Sequence, residues 1–314
     1  MQILRRSRME NKILGGKEIA LSARIYKNTE REIMIPKRIF YVWGAGEDKR
    51  RDVLACMQSW RAHNPDYEIV EINEKSRDYF DFQKELGENR WFHSVYERKM
   101  WAHVSDYVRI KVLFDNGGIY LDTDVSVIKP LDEFLKEPAF VGIQCAGTNN
   151  YVEPAILGSE KGNPFIGKIR DFYDREIWEL PIFTMPHIFR RFLASEYGIT
   201  EFPIKRRQKI IRAEHITVYP ERFFIPFEYN TKFTQDCVEA DTYAIHWWGG
   251  SWQRPDFEYF LRNKHRIPLP ELDEAWRRGT VRKIRFLRFI PIGRVYENKI
   301  RVLGLPLTLE TDKG

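Results

Sequence analysis

Residues 38–72 carry the pattern that most restricts the fold of this chain. A short, nearly continuous apolar run (RIFYVW) is followed by two glycines, by apolar positions at helical spacing, and then by an alternating run (YEIVEI). These features predict a strand, a helix and a strand at 38–43, 49–63 and 67–72. Two strands joined through a helix within about 35 residues form a βαβ unit, which predicts an α/β fold with a right-handed crossover.

A second helix and strand lead to two acidic residues. Residues 91–116 have apolar positions at helical spacing, Gly117 and Gly118 end the helix, and the apolar run 119–121 then meets Asp122 and Asp124. Carboxylates at the end of a buried strand lie at the sheet edge where α/β proteins bind ligands, and they suit Mg²⁺ or Mn²⁺. Taken alone, such a pair is more often an acidic turn that caps the next element.

Asp106 and Arg109 are three residues apart on the preceding helix and therefore share one face. They form either a surface ion pair or part of a nucleotide pocket, in which the acid binds a ribose hydroxyl and the arginine meets phosphate. The remaining elements are less distinct. Strands are expected at 125–128, 139–143, 155–157 and 242–248, a helix from 163 to 178, no assignable element over 180–235, and mostly helix after 254.

The charge distribution argues against a nucleic-acid-binding protein. The 314 residues carry a net charge of +6, but residues 1–38 and 262–301 hold +6 and +8, whereas residues 39–261 hold −7. A nucleic-acid enzyme would place its positive charge over the active region. Basic flanks can instead contact an anionic membrane surface.

The three cysteines are far apart, and the chain has neither an apolar run long enough for a bilayer nor an apolar leader near Met1. These features predict a reducing, cytoplasmic compartment without disulfides.

Four ordered motifs resemble those of family 32 glycosyltransferases, which carry a DxD-containing sugar-transfer region. The first two are the opening strand at 35–43 (IPKRIFYVW) and the paired segments at 101–109 (WAHVSDYVR) and 117–124 (GGIYLDTD). The other two are the downstream segment at 155–165 (AILGSEKGNPF) and the closing motif at 246–252 (HWWGGSW). The family includes yeast initiating outer-chain mannosyltransferases, animal α-1,4-galactosyltransferases and bacterial capsular polysaccharide enzymes.

The resemblance implies a GT-A type nucleotide-diphospho-sugar transferase fold, an α/β fold with a Rossmann-like central sheet flanked by helices. We expect a basic N-terminal extension at 1–34, a catalytic domain at 35–255 and a basic, mostly helical C-terminal region at 256–314.

The resemblance also implies roles for individual residues. Asp106, Arg109, Asp122 and Asp124 would form the catalytic group, with Asp124 binding Mn²⁺ or Mg²⁺ directly and Asp122 and His246 beside the metal. The residues expected at the donor are Trp43 on the base and Asp106, Arg109 and Asp122 on the sugar, ribose and phosphates. His246 or Ser251 would approach the metal and diphosphate from the opposite side, and Trp252 would close over the donor.

One departure from the family concerns the residue that faces the sugar. Some relatives have an asparagine just before the strand that begins here at Ala155, but this chain has Pro154, with Glu153 near the expected position and Asn149 and Asn150 further upstream. An acid in a polar turn is more often a surface charge, so the residue that contacts the sugar stays open.

The implied activity is a metal-dependent, retaining transfer of a hexose from a nucleotide sugar, a UDP-sugar rather than GDP-mannose, to a glycan or lipid-linked saccharide in capsular polysaccharide synthesis by a bacterium. Two alternatives remain. A haloacid-dehalogenase-type phosphohydrolase also has a DxD after a strand, although Ser126 stands where that motif has Thr or Val and the chain has no Asp-Asp pair. A catalytically inactive sugar-nucleotide-binding protein is the other.

The segment 281–301 alternates bulky apolar residues with Arg and Lys. As an amphipathic element it would hold the protein at the inner membrane face, where lipid-linked acceptors reside. A helix packed on the catalytic domain with a solvated basic face is the equal alternative.

Overall fold

A computed structural model describes residues 34–146, 149–203, 208–229, 231–250 and 255–278, and the backbone of 281–286, 290–296, 299–302 and 305–308. The expected N-terminal extension lies outside the described residues except for Met34.

The first half of the described chain alternates strands and helices. In chain order these are β1 Arg38–Val42, α1 Arg51–His63, β2 Glu68–Ile72, α2 Phe82–Glu88, α3 Arg90–Glu97, α4 Trp101–Asn116, β3 Gly118–Leu121 and β4 Val125–Val127. The second half begins with β5 Ala139–Ala146, β6 Asn149–Ser159, α5 Pro164–Arg175, α6 Met185–Tyr197, β7 Ile211–Arg212, β8 Thr217–Tyr219, α7 Glu221–Phe224 and β9 Ala244–His246. Two helices and four strands follow, α8 Pro255–Asn263, α9 Leu269–Arg278, β10 Val281–Phe286, β11 Ile290–Tyr296, β12 Lys299–Val302 and β13 Leu305–Thr308.

The central sheet is mixed, with the strand order β2-β1-β3-β6-β5-β8-β7. Strand β1 runs parallel to both β2 and β3, β6 is antiparallel to β3 and β5, and β8 is parallel to β5. The parallel pairing of β1 with β2 across helix α1 is the predicted βαβ unit. The predicted α/β class, a central sheet flanked by helices, is confirmed.

Hydrophobic side chains cover both faces of this sheet because successive residues of a strand point to opposite faces. On β1, Phe40 packs in one core with helices α3 to α6, whereas Ile39 and Tyr41 pack in the other with helix α1. Tyr120 and Ile119 divide between the two cores in the same way on β3. The sheet edge where β1 and β3 both end is therefore held by apolar packing from two sides.

The long helix predicted over 91–116 is two helices, α3 and α4. The break lies at Lys99, whose φ of 53° is left-handed, and the backbone there turns through Lys99 N–H···O=C of Tyr96 at 2.8 Å. Apolar spacing continues across the break, which is why the pattern did not reveal it. Gly117 ends α4 as predicted, with φ at 69° and a Cβ position only 2.9 Å from the backbone nitrogen of Lys161.

Strand β4 is not in the central sheet. It pairs antiparallel with β9, so Val125 lies opposite His246 in a separate two-stranded ribbon. This ribbon brings the closing motif, more than 120 residues later in the chain, beside the residues that follow β3.

Strand β6 is much longer than the three residues predicted, and it carries a bulge. Val141 on β5 pairs with Leu157, but Gly142 pairs with Glu153, so residues 154–156 are extra on β6. Pro154 has no N–H to give to a ladder, which is why proline within a sheet is confined to edges and bulges. Glu153 is therefore on a strand, and the expectation that it lies in a surface loop is wrong.

The C-terminal region is only partly helical. Helices α8 and α9 agree with the expectation, but β10 to β13 form a four-stranded antiparallel sheet where we expected a helical amphipathic element. Residues 283–286 and 290–293 alternate with the period of a strand, and Pro291 and Gly293 disfavour a helix. None of the described helices has the length and apolar character to cross a bilayer.

Candidate active site

The DxD segment forms a tight turn at the end of β3. The backbone N–H of Asp122 donates to the carbonyl of Ala155 at 2.8 Å, and that of Val125 donates to the carbonyl of Asp122 at 3.1 Å. Both carboxylates therefore lie at the carboxyl edge of a sheet strand, the position at which α/β sheets bind ligands.

Arg109 organises one side of this edge. Its Nη2 lies 2.8 Å from Asp122 Oδ1 and 3.2 Å from Asp106 Oδ1, and its Nη1 donates to the carbonyl of Pro154 in the β6 bulge. The side chain is only 3% exposed. Burial lowers the pKa of Arg109, but the two carboxylates outweigh burial and leave that pKa raised. The predicted pairing of Asp106 with Arg109 is thus buried, not a surface ion pair.

His246 and Asp124 form the other side. His246 Nε2 lies 3.5 Å from Asp124 Oδ2, and the backbone N–H of Gly249 donates to the same oxygen at 2.6 Å. A Cβ on Gly249 would lie 2.9 Å from that oxygen, so only glycine allows this approach. Trp248, held at a left-handed φ of 59°, lays its ring against His246 with centroids 4.3 Å apart.

Asp122, Asp124 and His246 meet the requirements of a metal site. Each offers a ligand atom, and these atoms all lie within 4.8 Å of one another. His246 Nδ1 is buried without a hydrogen-bond partner. Two carboxylates and an imidazole fit a divalent cation, and the imidazole favours Mn²⁺ over Mg²⁺, which takes oxygen ligands and keeps its waters.

Negative charge exceeds positive charge at this edge. Burial raises the pKa of Asp106 to about 7 and also raises the pKa of Asp122, although Arg109 opposes both shifts. Burial opposes the charged forms of Asp124 and His246 as well, but their mutual contact lowers the pKa of Asp124 to about 2 and raises that of His246. Burial therefore disfavours the charged forms of Asp106 and Asp122, and a nearby cation would favour those charged forms.

Glu153 is the fourth acid of this cluster. Burial raises its pKa to about 7, and the charges that act on it are those of His246, Asp122, Arg109 and Asp124, in that order. Sequence reasoning placed it in doubt because a three-residue bulge cannot be inferred from one strand alone. The proline that follows it was the only available signal.

Asn150 and Asn149 are the other two candidates for the sugar contact. Asn150 Nδ2 donates to the carbonyls of Phe202 and Pro203, at 3.1 and 2.7 Å, whereas its Oδ1 is buried without a hydrogen-bond partner among the described residues. The side chain of Asn149 lies outside the described residues, as do Ser251 and Trp252.

Trp43 follows β1 directly, and because β1 and β3 are parallel neighbours it lies at the same sheet edge as Asp122. Its ring is half-buried, its Nε1 donates to the carbonyl of Glu47 at 2.9 Å, and Lys49 Nζ lies 5.7 Å from the ring centroid. The structure therefore places Trp43 beside the site without assigning it a ligand.

Residues 50–141, which include helix α4 and the DxD turn, match the family described as "Glycosyltransferase sugar-binding region containing DXD motif". The chain carries this glycosyltransferase region. The predicted resemblance to glycosyltransferases with a DxD-containing sugar-transfer region is thereby confirmed over these residues. The match ends before Glu153 and His246, which the fold adds to the same site.

Two relatives illustrate the similarity. Inositol phosphoceramide mannosyltransferase 3 of Schizosaccharomyces pombe is 33% identical over 144 residues, covering 45% of this chain and 37% of that protein. Lactosylceramide 4-alpha-galactosyltransferase of Rattus norvegicus is 30% identical over 175 residues, covering 52% and 43%. The chain thus spans less than half the length of either relative. Among solved structures, the PaToxG glycosyltransferase covers 52% of this chain and 70% of its own, with a TM-score of 0.41 and 19% identity.

Proposed function

We propose that this chain is a metal-dependent, retaining hexosyltransferase that uses a nucleotide-diphosphate sugar as donor. One observation carries the proposal. Asp122, Asp124 and His246 converge at the carboxyl edge of β3, inside an acidic cluster that is short of positive charge. A divalent cation would supply the positive charge that this cluster lacks and would also bind the diphosphate of the donor.

The chemistry follows from where charge develops. Breaking the bond between the anomeric carbon and phosphate leaves negative charge on the nucleoside diphosphate and positive charge on the sugar. A bound divalent cation would supply Lewis-acid stabilisation of the leaving diphosphate. Arg109 faces the same region and adds a fixed positive charge, while Asp106 and Glu153 are the carboxylates available to the sugar.

Retention is implied by the family resemblance. The described residues of the site offer Glu153 as a carboxylate beside the sugar, but front-face displacement within a tight ion pair needs no covalent intermediate and is the mechanism we propose. The acceptor hydroxyl then attacks the positively charged sugar on the face that the leaving diphosphate occupies.

We propose a UDP-sugar as the donor, with GDP-mannose as the second candidate. The names of the two relatives state transfer of mannose and of galactose, so a hexose is common to both. Their names also state that they act on ceramide-linked acceptors, which supports a lipid-linked saccharide as acceptor here. The basic C-terminal region as a membrane contact, the cytoplasmic location and the role in bacterial capsular polysaccharide synthesis stay predictions.

A donor panel tests the proposal. Thermal stability is measured with UDP, GDP, UDP-glucose, UDP-galactose and GDP-mannose, each with and without Mn²⁺, because a ligand that binds only the folded state raises the melting temperature. We expect one nucleotide series to stabilise the protein only when Mn²⁺ is present. Asp124→Asn should abolish that stabilisation and lower transfer by at least ~100-fold, since a metal contributes several kcal/mol to the transition state.

The alternatives give different results in the same assays. A catalytically inactive binder would respond to a nucleotide sugar with Mn²⁺ but release no sugar to water or to an acceptor. A phosphohydrolase would release inorganic phosphate from a phosphomonoester and would show no preference among nucleotides. No response to any nucleotide in folded protein would overturn the proposal.

A further inference from the structure

His103 precedes Asp106 by three residues on helix α4 and therefore lies on the same face of the helix. Its ring is 5% exposed and packs edge-on against Trp91, with centroids 6.3 Å apart. Its Nδ1 is buried without a hydrogen-bond partner and lies 3.6 Å from Asp106 Oδ2. A buried polar atom that makes no hydrogen bond is destabilising, so one that faces a site residue calls for a functional explanation.

Each carboxylate oxygen of Asp106 faces a nitrogen-containing side chain. Its Oδ1 faces Arg109 Nη2 at 3.2 Å, and its Oδ2 faces His103 Nδ1. The three residues are spaced by three along α4 and therefore follow one stripe of the helix. Arg109 continues this stripe to Asp122, so His103 stands at the end of a line of contacts that leads to the DxD turn.

The protonation state of His103 allows its ring to donate a hydrogen bond to Asp106. Burial lowers the pKa of His103 to about 4, so the ring is neutral near pH 7 and carries one proton, on Nδ1 or on Nε2. With the proton on Nδ1, the ring can donate to Asp106 Oδ2. The separation is about 0.6 Å longer than an ordinary hydrogen bond, and such contacts commonly tighten when a ligand binds.

We propose that His103 is a positioning residue for Asp106, whose carboxylate it fixes against Arg109 by a hydrogen bond from Nδ1 that forms when the donor is bound. Held in this way, Asp106 keeps its remaining lone pairs directed at a hydroxyl of the donor's sugar or ribose. The inference rests on the proposed function, because Asp106 acts on a donor only if the donor binds at this edge.

Two substitutions separate this role from packing. In His103→Leu the new side chain fills most of the same volume but cannot donate a hydrogen bond. In His103→Asn the side chain is smaller but places an amide N–H near the position of Nδ1. If His103 merely fills space, His103→Leu should be the milder change. If it positions Asp106, His103→Asn should be milder.

The experiment measures donor affinity and the KM for the donor, with Mn²⁺, at a temperature where every variant is folded. We expect His103→Leu to weaken both by ~10-fold or more, the range found for residues that orient a ligand-binding side chain, and His103→Asn to recover most of that loss. In an Asp106→Ala background His103→Leu should add nothing, since a residue that acts only through Asp106 has no effect without it.

A ¹⁵N NMR measurement of the imidazole tautomer in ligand-free protein supplies a readout that does not need the donor. We expect the proton on Nδ1. A proton on Nε2, equal losses in the Leu and Asn variants, or additive losses with Asp106→Ala would each overturn the proposal. If the wild type binds no nucleotide sugar, the proposed function fails, and the tautomer still decides whether His103 can donate to Asp106.

Discussion

Two buried arginines in this protein have opposite surroundings. Arg109 is 3% exposed and Arg98 is 6% exposed, so burial does not distinguish them. Arg109 faces two carboxylates at the end of β3. Among the described ion pairs Arg98 has one carboxylate partner, the half-exposed Asp273 of helix α9. The Arg98 guanidinium lies 4.1 Å from the ring centroid of Phe260 and 5.5 Å from that of Trp276.

The contrast separates a binding site from a structural contact. Around Arg98 one cation pairs with one anion between two aromatic rings, and its Nη1 also donates to the carbonyl of Ser94 at 2.8 Å, whereas its buried Nε makes no hydrogen bond with a described residue. Around Arg109 four acids outnumber one arginine and one histidine. The balanced cluster at Arg98 connects helices α8 and α9 to helix α3 and the residue that follows it. In the cluster at Arg109 the acids outnumber the cationic side chains, so a bound cation would stabilise it.

Removing Arg109 gives the largest expected effect. Arg109→Met should lower the free energy of unfolding by about 3–5 kcal/mol, because it leaves two buried carboxylates without their partner. Arg98→Met should cost only about 1 kcal/mol, because its partner Asp273 is half-exposed. Only Arg109→Met should also abolish binding of the nucleotide sugar, measured by calorimetry well below the melting temperature. Loss of donor binding in Arg98→Met would remove the distinction between the two clusters.

The close approach of Gly249 to Asp124 predicts the next largest effect. A Cβ at this position would crowd the Oδ2 oxygen, so Gly249→Ala should displace Asp124 and weaken Mn²⁺ binding by ~10-fold. Gly87→Ala on helix α2 is the matched control, because its Cβ would enter open space and should leave Mn²⁺ affinity unchanged. Equal affinities in all three proteins would show that Asp124 does not need its present position.

Replacing one carboxylate by an amide in each cluster should change stability in opposite directions. Asp273→Asn removes the only acid at Arg98 among the described ion pairs, and because Asp273 is half-exposed the loss should be about 1 kcal/mol. Glu153→Gln removes an acid from a surplus, so the metal-free protein should become more stable. Chemical denaturation in EDTA measures both. Destabilisation of similar size in both variants would contradict the charge surplus.

The smallest effect concerns pH. Burial raises the pKa of Asp106 and of Glu153 to about 7, from ordinary values of 3.8 and 4.5. Between these ordinary values and about 7 the folded state binds more protons than the unfolded state, so both groups make the metal-free protein less stable as pH rises through that window. Glu153→Gln should make this fall shallower. An unchanged pH dependence in that variant would show that Glu153 has an ordinary pKa.

Local patterns predicted the elements that carry the site. The βαβ unit, helix α4 with its glycine end, and the acids after β3 are each encoded within a few tens of residues by apolar spacing and turn residues. His246 was reached only through the family resemblance, because its partner strand β4 is more than 115 residues earlier in the chain.

Other features depend on pairings that no local pattern encodes. The bulge beside Glu153, which places this residue at the site, depends on the register of β5 against β6. The break at Lys99 is hidden by apolar spacing that continues through it. In the C-terminal region, alternation of apolar and basic residues fitted an amphipathic element, and we assigned it to a helix although its two-residue period is that of the strands β10 and β11.

Electron paramagnetic resonance of Mn²⁺ tests the central claim most directly, because bound Mn²⁺ loses the sharp signal of the free ion. Titrations of wild type and Asp124→Asn, each with and without UDP or GDP, report metal binding without any assay of transfer. The acidic cluster predicts stoichiometric Mn²⁺ binding to the wild type, strengthened by one nucleotide, and its loss in Asp124→Asn with an unchanged circular dichroism spectrum. Equal binding by the two proteins, or none by the wild type with either nucleotide, would contradict the account.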